Sequence, residues 1–439
     1  MKEIGKNYFV SIAVLSAMLF LAASVFAAGT YSGGDGLSPE TAYQIASAND
    51  IQQIGANPDD WDKCFILTAD IDLSEYTNTS FNIIGNSQAE FVGVFDGRGF
   101  TIDNFTYTSV DTNYIGLFGL VGSDGVVKNL GLTNVNIDAG TGSFVAALAG
   151  VNAGSLVNCY STGSVAGGDY VGGLTGNNEN TLTNSHANTS VTGIWYVGGL
   201  AGCNQAGMTN CYSAGNVYGE WYVGGMVGEN FGYGSVSYSY STVHVYGLYS
   251  VGGLVGLGSE NSEIFSCYST GDVDGSYSIG GLIGGISTNA AVANCYSTGF
   301  VCGDLYVGGF IGYNNNTVKN CYFLDPAGPD NCCGIPLSAE LMKQRAVFVD
   351  WDFDPYDGNG RQYWINEGAD FPRLYWQSIG DLDNDGIVNL SDLAIMSAAW
   401  QTNQGEDNYN SICNLSGETT IDTEDLAVLI GNWLQGTTP

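Results

Sequence analysis

Apolar residues in this chain come in short bursts set among small polar residues, and the bursts recur. The tags YVGGLTG (170–176), YVGGLAG (196–202), YVGGMVG (222–228), SVGGLVG (250–256), SIGGLIG (278–284) and YVGGFIG (306–312) start 26, 26, 28, 28 and 28 residues apart. Two weaker copies precede them, YIGLFGL at 114–120 and FVAALAG at 144–150. After each tag comes a polar turn, then an element such as VNCYSTG (157–163), TNCYSAG (209–215), FSCYSTG (265–271) or ANCYSTG (293–299). A unit this short does not fold alone, and its glycine pairs and its Val, Tyr, Thr and Ser content disfavour helix. The pattern predicts a parallel β-solenoid in which each coil buries its face only against its neighbours.

Stacked coils turn equivalent positions into ladders with a step of about 4.8 Å. One column reads Cys159, Ser185, Cys211, Ser239, Cys267, Cys295 and Cys321; the next reads Tyr160, His186, Tyr212, Tyr240, Tyr268, Tyr296 and Tyr322. Alternation along a strand sends these two columns to opposite faces. The small Cys/Ser column is expected inside as free thiols, since in-register strands hold neighbouring Cβ atoms too far apart for easy bridging. The preceding column, Asn158, Asn184, Asn210, Tyr238, Ser266, Asn294 and Asn320, suits a turn in which amides bond along the stack. Before each tag valine stand two further columns, Asp169/Trp195/Trp221/Tyr249/Tyr277/Leu305 and Tyr170/Tyr196/Tyr222/Ser250/Ser278/Tyr306. One of them is expected to face out, either as a packing ladder or as a stripe suited to sugar rings. The candidate glycan contacts are Trp195, Trp221, Tyr249 and Tyr277.

These repeats resemble the GLUG motif family over about 111–323, carried by GLFGLVG (116–122) and the six VGG[LMF]xG tags. The resemblance implies a β-helical repeat of secreted and surface proteins and implies no reaction.

The flanks differ. Lys2 and Lys6, the apolar run Tyr8–Phe26 and the small residues around Ala27 predict a signal peptide over 1–27. Residues 28–110 read as an N-terminal β-rich cap, with Ser47 and Asp50 forming a capping box before IQQIGA. Residues 324–379 break the period and read as a C-terminal cap. There Cys332 and Cys333 could pair only outward, with Cys302 or Cys413 as options left open.

The segment DLDNDGIVNLSD (381–392) carries the sharpest chemistry. Asp381, Asp383 and Asp385 alternate, Gly386 permits a bend, Ile387 offers its carbonyl, and Asn389 and Asp392 complete an oxygen shell of the EF-hand type for Ca²⁺. A second loop, 414–425, supplies Asn414, Ser416, Glu418, Thr420 through its carbonyl, Asp422 and Asp425, with Thr419 in place of the glycine and weaker binding expected. DLAIMSAAW (392–400) parallels DLAVLIGNW (425–433), and the paired units resemble type I dockerin domains over about 380–435. The resemblance implies a cohesin-like partner. Its recognition positions fall on Leu390, Ser391, Thr423 and Glu424, while Ala398, Ala399, Gly431 and Asn432 stand where basic residues are common.

Net charge of −34 excludes the cationic surfaces that bind nucleic acid and anionic lipid. Charged residues are only 12 %, so the chain is not a solvated disordered polyanion. No Lys or Arg lies between 129 and 318, which disfavours lyase chemistry on uronates. The best carboxylates for hydrolysis are Asp272, Asp274 and Asp304, read as solvated turns. His186 reads as a substitute in the tyrosine ladder, and His244 has no Ser or Cys partner. No catalytic residue is assigned. The expected molecule is mostly β: a right-handed parallel β-helix of about eight 26–28-residue coils with end caps, and a small α-helical dockerin-like domain over 380–439. It is expected to be secreted or held at a cell surface, calcium-dependent, and engaged in adhesion or polysaccharide contact. A dockerin-bearing lyase or glycoside hydrolase and a structural spacer are the alternatives.

Overall fold

The computed structural model describes residues 29–353 apart from 288 and 317, and also 364–365, 371–374, 390–398, 400–402, 420–423, 426 and 429–430. The signal-peptide segment therefore lies outside the described residues.

The chain winds into a β-solenoid of about nine turns, with few helices. Each coil presents three faces. The strands Asp169–Gly172, Trp195–Gly198, Trp221–Gly224, Tyr249–Gly252, Tyr277–Gly280 and Leu305–Gly308 stack as the first face. The second face has eight strands, from Phe118–Val121 and Ala149–Asn152 through Thr175–Asn178, Ala201–Asn204 and Val227–Asn230 to Ile311–Asn314. The third collects the remaining solenoid strands into one large sheet. All pairings between coils are parallel; Trp195 faces Trp221 and Ala201 faces Val227, 26 residues apart. Further round the same coil Gly207 faces Ser235, 28 residues apart, so the change of period is taken up in the polar turn between the second and third faces.

The tag glycines answer to space. A Cβ on Gly198 would stand 2.0 Å from the Ala201 carbonyl oxygen, and one on Gly202 would stand 2.7 Å from the Tyr196 carbonyl oxygen. First and second faces thus meet backbone to backbone at the tag. The apolar residues beside the glycines fill the interior: Val197, Leu200, Val223, Met226, Val251 and Leu254 are all fully buried.

One hydrophobic core runs unbroken from Ile45 to Phe323. Tyr43–Ile45, Cys64–Leu67 and Val94–Asp96 join the third face in sequence, through pairing with Val126–Asp138. The N-terminal segment continues the solenoid, which accounts for a count above the eight coils visible as repeats. Helix Ala48–Ala56 packs Ile51 and Ile54 into this core, and its capping box is present. At the other end Phe348, Trp351, Phe353 and Trp364 cover Tyr268, Tyr296 and Tyr322.

The corner at the asparagine column explains the Cys/Ser column beside it. Asn158, Asn184, Asn210, Asn294 and Asn320 have φ between 51° and 55°, a left-handed turn that asparagine tolerates. Their amides bond along the stack, Asn158 to Asn129 at 2.9 Å and Asn210 to Asn184 at 3.1 Å. The turn takes the next backbone N–H out of the regular ladder, and the following coil supplies a side-chain acceptor. Cys159 N–H donates to Ser185 Oγ at 3.0 Å, Cys211 N–H to Ser239 Oγ at 3.1 Å, and Cys267 N–H to Cys295 Sγ at 3.4 Å. The same side chains donate two residues back, as Ser239 Oγ does to the Ser237 carbonyl at 2.7 Å. The five cysteines of this column are buried and unpaired. Burial pushes the Cys159 and Cys211 thiols up to about 12. Cys302, Cys332 and Cys333 are also unpaired, and Cys413 lies outside the described residues.

On the opposite side of the strand the tyrosine column stacks. Tyr160, His186, Tyr212, Tyr240, Tyr268 and Tyr296 follow one another at 5.1, 4.3, 5.1, 4.9 and 4.9 Å between ring centres, within 8° of parallel. His186 fills a rung as expected, and burial lowers its pKa to about 4.

Three outcomes follow from this packing. Ser239→Ala strands the buried Cys211 N–H and should cost about 1–3 kcal/mol, against a smaller loss for Ser239→Cys, by denaturant unfolding. Thiol reagent should leave Cys159, Cys211, Cys267, Cys295 and Cys321 unmodified until denaturant is added. The His186 pKa is depressed in the folded state. Its contribution to stability is therefore complete above its unfolded value near 6.5 and is lost as pH falls towards about 4. The loss of melting temperature between pH 7 and pH 5 should accordingly be smaller in His186→Tyr than in the native chain.

Candidate functional site

The residues that precede each tag valine form the most distinctive outer surface. Strand pairing matches Trp195 with Trp221 and Val197 with Val223, and skips the residue between. That residue is left-handed in every coil: φ is 60° at Phe144, 55° at Tyr170, 57° at Tyr196 and 52° at Tyr222. A left-handed residue breaks the two-residue alternation of a strand. Trp195 and Tyr196 are therefore both half-buried on the outside while Val197 is fully buried. The sequence pattern predicted one outward column, and the structure has two.

Both columns are stacked. Tyr114, Phe144, Tyr170 and Tyr196 follow at 5.0, 4.7 and 4.5 Å, within 14° of parallel. Trp195, Trp221 and Tyr249 follow at 4.7 and 3.9 Å, within 10°. A left-handed aromatic residue costs of order 1–3 kcal/mol. Ring stacking at about 0.5–1.5 kcal/mol per pair is large enough to offset much of that. Interior rings of such a stack have both faces covered by neighbours and present edges to solvent. Tyr277 departs from this order, 6.0 Å from Tyr249 and tilted by 44°.

Next to the tyrosine column lies the outer side of the second face. A cavity of about 310 Å³ is bounded by Tyr114, Phe144, Tyr170, Glu90, Glu179 and Asn177, among others. Three of its polar side chains are partnered: Asn177 Nδ2 donates to Glu179 at 2.8 Å, and Gln205 Nε2 donates to Asn177 at 3.2 Å. Two coils on, burial raises the pKa of Glu229, which accepts from Ser259 Oγ at 2.9 Å. Beneath this surface Asn152, Asn178, Asn204 and Asn230 form a buried amide ladder with bonds of 2.7, 2.7 and 2.8 Å. The sequence reading missed it, although a G-x-N triplet marks each of its rungs, at 150–152, 176–178, 202–204 and 228–230.

The carboxylates considered for hydrolysis are occupied or apart. Asp272 accepts from the Phe300 N–H at 2.8 Å, one coil on, and lies 3.6 Å from His244 Nε2 at an exposed site. Asp274 sits in register with Cys302, and both Asp274 and Asp304 are exposed.

Of the calcium-loop positions, Asp381, Asp383, Asp385, Ile387, Asn389, Asn414, Ser416, Glu418 and Asp425 lie outside the described residues, as does Glu424. Leu390, Ser391 and Asp392 open helix Leu390–Ala398, and Thr420, Asp422 and Thr423 are described nearby. Met396, Ile421 and Leu429 form a small core there with Trp400, Leu393 and Leu426 against it. Among the described residues no group of three or more His, Cys, Asp or Glu is placed to hold a metal ion. None of their helices is long and apolar enough to cross a membrane.

Comparison with known proteins bears on the repeats. The family model described as "The GLUG motif" matches residues 193–218 and 247–274. Halomucin of Haloquadratum walsbyi is 34 % identical over 139 residues, 30 % of this chain and 2 % of that protein. A protein of Evansella cellulosilytica provisionally named as a Gly-rich membrane protein is 36 % identical over 132 residues, 29 % of this chain and 15 % of that one. The chain thus spans a small part of the length of both relatives. Among solved structures, a chain from Bacteroides ovatus provisionally described as an immunoglobulin A1 protease aligns at 17 % identity with a TM-score of 0.42, covering 79 % of this chain and 95 % of that one. With coil, tag and stacked columns in place, this chain is a β-solenoid whose repeats match the GLUG motif at 193–218 and 247–274.

Proposed function

We propose that the chain is an extracellular or cell-surface β-solenoid that makes contact with polysaccharide through its outward aromatic columns, and that a calcium-dependent dockerin-like module over 380–439 tethers it. The observation that carries this reading is the pair of half-exposed aromatic columns on a surface without Lys or Arg between 129 and 318. Similarity to halomucin and to a protein named for a membrane supports a surface location. The absence of Lys and Arg between 129 and 318 favours neutral glycans over uronates. In the tether, Asp381, Asp383, Asp385, Ile387, Asn389 and Asp392 supply the stronger Ca²⁺ loop and 414–425 the weaker one. Leu390, Ser391, Thr423 and Glu424 meet a cohesin-like partner.

Calorimetric titration of the full chain with Ca²⁺ tests the tether. At least one site should saturate in the range from about 0.1 µM to 1 mM, and Asp383→Ala with Asp385→Ala should abolish it. A native chain that takes up no Ca²⁺ would remove the tether from this reading. Capture of a cohesin-like protein from the extracellular fraction should in turn depend on Ca²⁺ and be lost with a chelator.

A further inference from the structure

The cavity of about 310 Å³ beside Tyr114, Phe144 and Tyr170 is a trough with an apolar floor and acidic ends. Its floor is the outward column of the second face, where Leu120, Val151 and Asn177 follow one another in register. Val151 and Asn177 point outward yet are only 5 and 3 % exposed, because a wall rises on each side of them. One wall is the ring column. The other is low at first: Gly122 and Ala153 stand where the next two coils carry Glu179 and Gln205.

A carboxylate stands towards each end. Glu90 precedes Phe91, which pairs with Val121, so Glu90 enters the floor column one coil ahead of Leu120. Its carboxylate lies over Gly122, where a Cβ would collide with it. At the other end the buried Asn177 draws Glu179 over the floor, Nδ2 donating at 2.8 Å, and Gln205 Nε2 holds Asn177 Oδ1 in turn at 3.2 Å. The two carboxylates are therefore about two coil steps, or roughly 10 Å, apart along the axis. Among the described residues no ion pair reaches either one; the cations that do pair are Lys63 with Asp62, Lys128 with Asp96 and His244 with Asp272. Leu120, Val151, Ala153 and Phe144 line the stretch between them.

This arrangement selects against several ligands. A single metal ion needs its oxygens within about 2.6 Å, so carboxylates this far apart cannot share one. Phe144 is covered on both faces by Tyr114 and Tyr170, 5.0 and 4.7 Å away, and gives the trough an edge and not a platform for a sugar ring. A ring edge carries positive partial charge, so it suits methylene groups and keeps a cation away from the middle. We infer that the trough is a binding site for a linear aliphatic diammonium ion, one ammonium on Glu90, the other on Glu179, and the methylene chain along Leu120, Val151 and the edge of Phe144. Charge-assisted N–H···O bonds of about 2.8 Å at each end place the two nitrogens roughly 5–9 Å apart. The net charge of −34 draws such cations to the surface, and the trough gives one of them a fixed seat. The inference is independent of the polysaccharide reading.

The test is calorimetry of the full chain with putrescine and cadaverine, and with butylamine as the single-ammonium control, at about 0.15 M salt to screen loose surface charge. One diamine should saturate a single site with Kd between about 10 µM and 1 mM, at least about tenfold tighter than butylamine. Glu90→Gln with Glu179→Gln should weaken it by about tenfold or more. Ala153→Phe should do the same with both carboxylates retained, since it fills the trough; Phe231 stands at the equivalent place three coils on, so the coil accepts the ring. Asp274→Asn, an exposed charge on another face, should leave the affinity within about twofold. Melting temperatures within a few degrees of the native chain confirm that the variants fold. Diamine uptake that survives the double Gln variant or Ala153→Phe places the cation elsewhere on the acidic surface and overturns the site. Equal affinity for butylamine, or no saturable uptake of either diamine up to about 10 mM, overturns it as well.

Discussion

Everything in this molecule is subordinate to in-register parallel stacking. A coil that advances about 4.8 Å per turn places each side chain directly over its equivalent in the next coil. Whatever occupies one rung must tolerate a copy of itself on either side. Flat rings, primary amides and small hydroxyl or thiol groups satisfy that condition, because each can face its own kind without strain or repulsion. Like charges cannot, which accounts for the scarcity of charged residues on the repeating faces despite the acidity of the whole chain.

The tags make the solenoid thin. Glycines at 198 and 202 let two faces touch through their backbones, and Val197 and Leu200 beside them fill the remaining interior. Corners are made by left-handed residues, and each corner disturbs the hydrogen bonds beside it. The Cys/Ser column repairs the disturbance at the asparagine corner by accepting the displaced N–H from the coil before. At the tag corner the compensation is ring stacking. A bulky aromatic residue in a left-handed conformation is unfavourable alone and becomes acceptable as one member of a column.

Much of this was legible from spacing, because a period places residues in columns before any coordinates exist. The buried thiols, the turn amides and the place of His186 in a tyrosine ladder all came from column membership. Other features needed the backbone. Sequence alternation cannot show that Trp195 and Tyr196 both point outward, since that depends on a φ of 57° at a tyrosine, a residue with no turn signature. Nor does it show that stacked rings cover one another's faces and turn their edges to solvent, as Trp195 and Trp221 do. The N-terminal segment lacks the glycine tag, so its membership of the third face was concealed although its strands pair in series. The buried Asn152–Asn230 ladder was present in the letters, two residues past the closing glycine of each of these tags, where a lone asparagine reads as an ordinary turn residue.

The polar turn between the second and third faces changes length from coil to coil, as the 26-residue and 28-residue pairings on either side of it show. The strands on either side of that turn stay in register whatever its length, so the cross-section of these coils stays constant. The number of coils is consequently free to vary independently of their shape. A whole coil gained or lost by tandem duplication or deletion alters reach by one graduation and leaves every remaining rung with the neighbours it had. The molecule behaves as a ruler, on which a feature such as the cavity beside Tyr114 and Phe144 can be set at a chosen distance from either end.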